Sequence, residues 1–116
     1  MASNELTSRL EDIAERARQG LSLKDKARER TLSLSRDTVR HCSASIRAVH
    51  RQEQELAQEL LDRAQDLLKE ISEAITDFPD LSGTGYVQTA QKEYAEGCLT
   101  LSLVVGSHLP GPEELG

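Results

Sequence analysis

The sequence predicts an all-α fold: an antiparallel helical bundle of three long helices plus the start of a fourth. Three observations carry that prediction. Aromatic residues make up only 3% of the 116 residues and tryptophan is absent, so the core lacks the aromatic weight that strands favour. Apolar residues recur at spacings of three and four over long stretches, the period of one helix face. Proline and glycine gather chiefly in "DFPDLSGTG" and "HLPGPEELG", where they punctuate helices rather than interrupt them. A chain of this length holds one domain at most.

The first helix is expected to begin near Glu5 and to run strongly from Leu23 to about Arg51. Gly20 lies between, where it either breaks the helix or costs about 1 kcal/mol inside it. Residues 1–22 are therefore read as a helical or flexible extension and residues 23–116 as the helical domain proper. Val39, Cys42, Ile46 and Val49 follow 3-4-3 spacing and are expected to face the core. The second helix, over residues 54–76, is the clearest amphipath. Leu56, Leu60, Ala64, Leu67, Ile71 and Ala74 form its stripe, widened by Ala57, Leu61, Leu68 and Ile75. The third runs from about Tyr86 to Ser107. Pro112, followed by two glutamates, suits the first turn of a fourth.

The net charge of −6 is unevenly divided. Residues 1–51 hold 11 Lys and Arg against 7 Asp and Glu, and residues 52–116 hold 3 against 13, so the two parts carry +4 and −10. A basic first half leaves room for an anionic partner despite the acidic total. Cys42 and Cys98 make no short-spaced pair and fit buried thiols in a reducing compartment. The charged N-terminus does not read as a signal peptide, and no window approaches the apolar length of a membrane span. A cytoplasmic protein with no membrane partner is the expectation.

Two constellations bear on chemistry. At 100° per residue Arg36, Arg40, Arg47 and Arg51 fall within about 60° of one another, with His50 at the edge. An arginine ridge of this kind presents planar donor forks to phosphates; the plainer alternative is a solvated helix face. Glu93 and Glu96, in "QKEYAEG", stand three apart on one face of an otherwise apolar helix. Two neighbouring carboxylates repel unless a cation sits between them, and Mg²⁺ or Mn²⁺ takes such oxygens. Such an ion stabilises charge on a phosphodiester. The alternative is a pair of surface glutamates paired with Lys92 or with water. His41, His50 and His108 have no second ligand at helical spacing, the cysteines and Tyr94 are expected to pack, and aromatics are too few for a base-stacking platform.

The stretches "LSRDTVRHCSASIRAVHRQEQELAQELLDRAQDLLKEI" and "FPDLSGTGYVQTAQKEYAEGCLTLSLVVGSHLPGPEELG" resemble the translin family, most of all its archaeal translin-like members and the translin-associated factor X branch. The resemblance begins at about Leu23. Its most specific parts are Arg47, His50 and Arg51 at the end of helix one, the "GYVQTAQKEYAE" opening of helix three, and "LPGPEELG". It implies an all-helical fold of about seven helices, a hollow homo-oligomer that is often an octamer, and binding of single-stranded RNA or DNA. In the factor X branch it also implies a metal-dependent endoribonuclease, onto whose catalytic and metal-binding carboxylates Glu93 and Glu96 map. That branch's third acid, an aspartate in a later "GLADL"-like helix, has no counterpart in this sequence. The chain is accordingly expected to correspond to roughly the N-terminal half of a family member. A non-catalytic nucleic-acid-binding or oligomerising helical scaffold is the alternative function.

Overall fold

The computed structural model describes residues 2–106. It is all helical: α1 spans Ala2–His50, α2 spans Gln54–Ala74, a short 3₁₀ turn spans Pro79–Gly83, and α3 spans Gly85–Val105. His108, the "LPGPEELG" stretch and the expected fourth helix lie outside the described residues. The molecule measures 80 × 27 × 17 Å. The long dimension is set by α1, whose 49 residues at 1.5 Å each reach about 74 Å.

Glycine 20 does not interrupt α1. No neighbouring atom lies within 4 Å of where its Cβ would stand, so the residue costs the helix propensity without buying a close approach.

α1 packs against both α2 and α3, which touch each other less extensively. Ser45 Oγ donates to the carbonyl of Ala57 at 2.8 Å, while the other end of α2 reaches the region of Leu23, Ala27 and Arg30. α1 and α2 are therefore antiparallel. α3 starts beside Leu32 and Ser35 and ends with Leu101 packed in a cluster with Ala48, Val49, Ala57 and Leu61, so it runs in the same sense as α1.

The buried seam of α1 is narrower and more polar than its apolar spacing suggested. Thr31, Ser35, Thr38, Cys42, Ser45, Ala48 and Val49 are the buried positions, whereas Val39 and Ile46 are only half-buried. Small side chains let the other two helices approach closely. The two threonine hydroxyls are satisfied locally: Thr31 Oγ1 donates to the Ala27 carbonyl at 2.6 Å and Thr38 Oγ1 to that of Leu34 at 2.8 Å, the back-bonding open to such residues inside a helix. On α2 the stripe is likewise turned slightly. Ala57, Leu61, Ala64, Leu67 and Ile71 are buried, and Leu56 remains exposed.

The α1–α2 turn is made by Arg51, Gln52 and Glu53. Gln52 adopts φ 64°. Its N–H bonds the carbonyl of Val49 at 3.0 Å, and the N–H of Glu53 bonds that of Ala48 at 2.9 Å. This is the Schellman arrangement, in which the left-handed position usually belongs to glycine. At the far end, Pro79 opens the 3₁₀ turn and Leu81 anchors it in the core. Lys24 bonds Asp80 at 2.7 Å, tying α1 to that turn.

Two stability predictions follow from this geometry. Gln52→Gly relieves the left-handed strain of a residue with a Cβ and is expected to raise unfolding stability by up to about 1 kcal/mol in urea titration. A Cβ on Gly97 would stand 2.8 Å from Leu61 Cδ2. Gly97→Val is therefore expected to lower stability by about 2 kcal/mol or more in the same titration.

Candidate nucleic-acid and metal site

Arg36, Arg40, Arg47, His50 and Arg51 are all exposed. Projected around α1, the four arginines lie about 120–180° from Cys42, so the ridge occupies the back of the helix, away from the core. Two of its members are engaged. Arg40 pairs with Asp37 one turn earlier, and Arg51 pairs with Glu53 across the turn at 3.2 Å. Arg36, Arg47 and His50 make no ion pair among the described residues, which leaves their donors open to an incoming anion.

Arg36 also stands at the edge of a cleft between α1 and the start of α3, of about 420 Å³, lined by Leu32, Ser35, Arg36, Val39, Tyr86 and Thr89. Ser35 Oγ and the Tyr86 hydroxyl are buried and have no hydrogen-bond partner. Unpaired buried hydroxyls are uncommon in a folded protein, and here both belong to one cleft beside a free guanidinium. Sequence reasoning missed these two residues because a serine on a polar-looking stretch and a tyrosine opening a helix carry no spacing signal.

The two acids of α3 differ in setting. Glu93 is half-buried and Glu96 is exposed. Lys92 Nζ lies 3.9 Å from Glu96 Oε1, the pairing with Lys92 that the sequence leaves open. Glu93 lies on the side of α3 that meets α1, close enough for its charge to act on the Cys42 thiol. Thr89, Glu93, Glu96 and Thr100 follow one another at spacings of four, three and four, so they form one edge of α3 that continues from the Arg36 cleft. Two hard oxygen donors on a partly wet edge suit a divalent cation that keeps several waters. Among the described residues no group of three or more His, Cys, Asp or Glu side chains gathers as a ready cage. Arg36 and the two acids thus border the α1–α3 junction, while Arg40, Arg47 and Arg51 lie on the back of α1, and the two sets do not converge on a single pocket.

The remaining titratable groups are held by packing. His41 Nδ1–H donates to the Asp37 carbonyl at 2.7 Å, and burial followed by the nearby Arg63 and Arg40 keeps its pKa below the ordinary value. Burial, then Cys98 and Glu93, pushes the Cys42 thiol up to about 11. Burial and a hydrogen bond with Cys98 push the Tyr94 phenol up to about 12. The buried Cys42 thiol therefore belongs to packing rather than to nucleophilic chemistry, as a reactive cysteine needs a depressed pKa.

The folded state holds the Cys42 and Tyr94 protons more tightly than the unfolded chain, so their stabilisation is complete below about pH 9 and is lost as pH rises towards 11–12. The urea midpoint is expected to stay level from pH 7 to about 9 and then fall. Maleimide at neutral pH is expected to modify Cys98 well before Cys42; equal rates would show that Cys42 is not sequestered.

No protein-family model matches the chain, and no solved structure matches it. Among curated proteins it is similar to an uncharacterized protein, MJ0175, of Methanocaldococcus jannaschii, with 33% identity over 101 residues that cover 82% of this chain and 42% of the relative. The chain thus spans less than half the length of that archaeal protein.

Proposed function

We propose that this chain is a translin-like, single-stranded nucleic-acid-binding helical unit acting in the cytoplasm, and that it contributes Glu93 and Glu96 to a metal-dependent endoribonuclease centre of a homo-oligomer. The observation that carries the binding part is the exposed arginine face of α1, with Arg36, Arg47 and His50 free of ion pairs among the described residues and Arg36 beside the cleft that holds the unpaired Ser35 and Tyr86 hydroxyls. Phosphates would dock on Arg36 and Arg47, with His50 and Arg51 at the end of the track. The cleft's apolar walls and two hydroxyls suit the face and edge of an unstacked base. The sequence resemblance supports the choice of a single strand over a duplex, and the two free thiols support a reducing compartment.

Glu93 and Glu96 supply two of the oxygen ligands that Mg²⁺ or Mn²⁺ takes. Bound there, a divalent ion supplies charge stabilisation to a phosphodiester. The chain's own residues would orient the strand along the α3 edge: Arg36 fixes one phosphate at the cleft, and Thr89 lies one turn before the first acid. A second reading, a non-catalytic binding module, is favoured by the Lys92–Glu96 contact, which already offsets one of the two charges.

Fluorescence anisotropy with labelled single-stranded RNA tests the first part. Arg36→Ala with Arg47→Ala is expected to weaken binding about tenfold or more and to reduce the salt slope by about 1–1.5, since each phosphate contact contributes about 0.7. An unchanged slope would remove the arginines from the interface. Glu93→Gln with Glu96→Gln is expected to abolish Mn²⁺-dependent cleavage while sparing binding. If labelled RNA meets the same fate with and without EDTA, the binding-module reading replaces the nuclease.

A further inference from the structure

The N-terminal part of α1 leaves the bundle. Lys24, held by Asp80 at 2.7 Å, marks its base, and residues 2–23 extend beyond as an arm about 33 Å long. The arm carries a row of large apolar side chains in water: Leu6 is 59% exposed, Leu10 57%, Ile13 62% and Leu21 65%. An isolated helix of this length is marginal in water and takes its stability from a buried face. The row Leu6, Leu10, Ile13, Ala17 follows 4-3-4 spacing, the signature of a two-stranded seam. It lies on the same side of α1 that, further along, buries Thr31, Ser35 and Thr38 against α2 and α3.

We infer that this arm pairs with the arm of a second copy of the chain, antiparallel, to make a two-stranded coiled coil. The pattern is self-complementary in that orientation. Setting Leu6 across from Ala17 of the second copy also sets Leu10 across from Ile13, so two large central layers are flanked by a large–small layer at each end. One flank of the row reads Glu5, Arg9, Asp12, Arg16. Run against itself, it brings Glu5 near Arg16 and Arg9 near Asp12, placing opposite charges within reach across the seam. The other three charged residues of the arm, Glu11, Glu15 and Arg18, face away from the seam, and Glu15 and Arg18 already pair within the helix at 2.8 Å. The area also fits a second copy. Each exposed Leu or Ile offers roughly 100 Å² of apolar surface, so the three in each seam, with Ala17 and the stems of the flanking arginines, let two arms remove about 800 Å² from water, the size of a weak, reversible contact. The dimer is therefore concentration-dependent. It holds whether or not the chain binds nucleic acid.

Sedimentation equilibrium of the nucleic-acid-free chain tests this. A monomer–dimer equilibrium with a Kd of the order of 10 µM is expected. Leu10→Asp with Ile13→Asp is expected to give a monomer throughout, with the bundle intact as judged by unchanged protection of Cys42 from maleimide. Orientation is read by oxidative cross-linking in a Cys98→Ser background. Leu6→Cys mixed with Ala17→Cys is expected to cross-link, and Leu6→Cys alone is not. A monomer at every concentration, an assembly unaffected by the two aspartates, or self-cross-linking of Leu6→Cys would each overturn the inference.

Discussion

The absence of a side chain at Gly97 is the constraint on which the bundle depends. At that point α3 comes within contact of both other helices: a Cβ there would meet Leu61 Cδ2 at 2.8 Å and Cys42 Cβ at 4.0 Å. Leu61 fills the space that the glycine leaves, and Cys42 backs it from α1. The small-residue seam of α1 serves the same end, because threonine, serine and alanine allow two helices to lie close against one helix. Glu93 and Tyr94, one turn before Gly97, are set in place by that contact, and so is the raised pKa of Cys42.

Much of this was legible in the residues. The helix count, the "DFPDLSGTG" stop and the amphipathic α2 follow from periodicity and from turn chemistry, which act locally. The register of α1 was legible only in part: Cys42 and Val49 are buried as expected, whereas Val39 and Ile46 are half-buried. Apolar periodicity counts Val39 and Ile46 as core and gives no signal for Thr31, Ser35, Thr38 or Ser45. Close approach favours small side chains there, and the Thr31 and Thr38 hydroxyls bond back to their own helix. Of the two outcomes open at Gly20 the helix takes the continuous one, since one glycine in a long helix costs too little to end it. At the candidate site, helical spacing puts the arginines on one face and the two acids on one edge, and all the arginines are exposed. It could not reveal that Arg40 and Arg51 spend their charge on neighbouring acids, nor that Ser35 and Tyr86 share a cleft, because those are matters of tertiary contact.

The charge division has a spatial counterpart. The basic residues of the first half lie largely along α1, and the acidic excess of the second half lies on α2 and beyond. Bridges such as Lys24–Asp80 join the two fields at the base of the bundle. Most other ion pairs stay within one helix or turn, are solvent-exposed, and add little to stability. What holds the three helices is apolar and small-residue contact, which leaves the charged faces to set what approaches from outside.

Because α1 is unbroken from Ala2 to His50, the tip and the arginine face behave as marks on one ruler. Leu6 and Arg36 are separated by thirty residues, about 45 Å, and their relative bearing is fixed by 100° of rotation per residue. Inserting a single residue between them would swing the tip by more than a quarter of a circle. Insertions of seven or eleven residues nearly restore the bearing. Length changes in this part of the chain are thus tolerated only in near-whole periods, a rule imposed by helical pitch rather than by any one side chain.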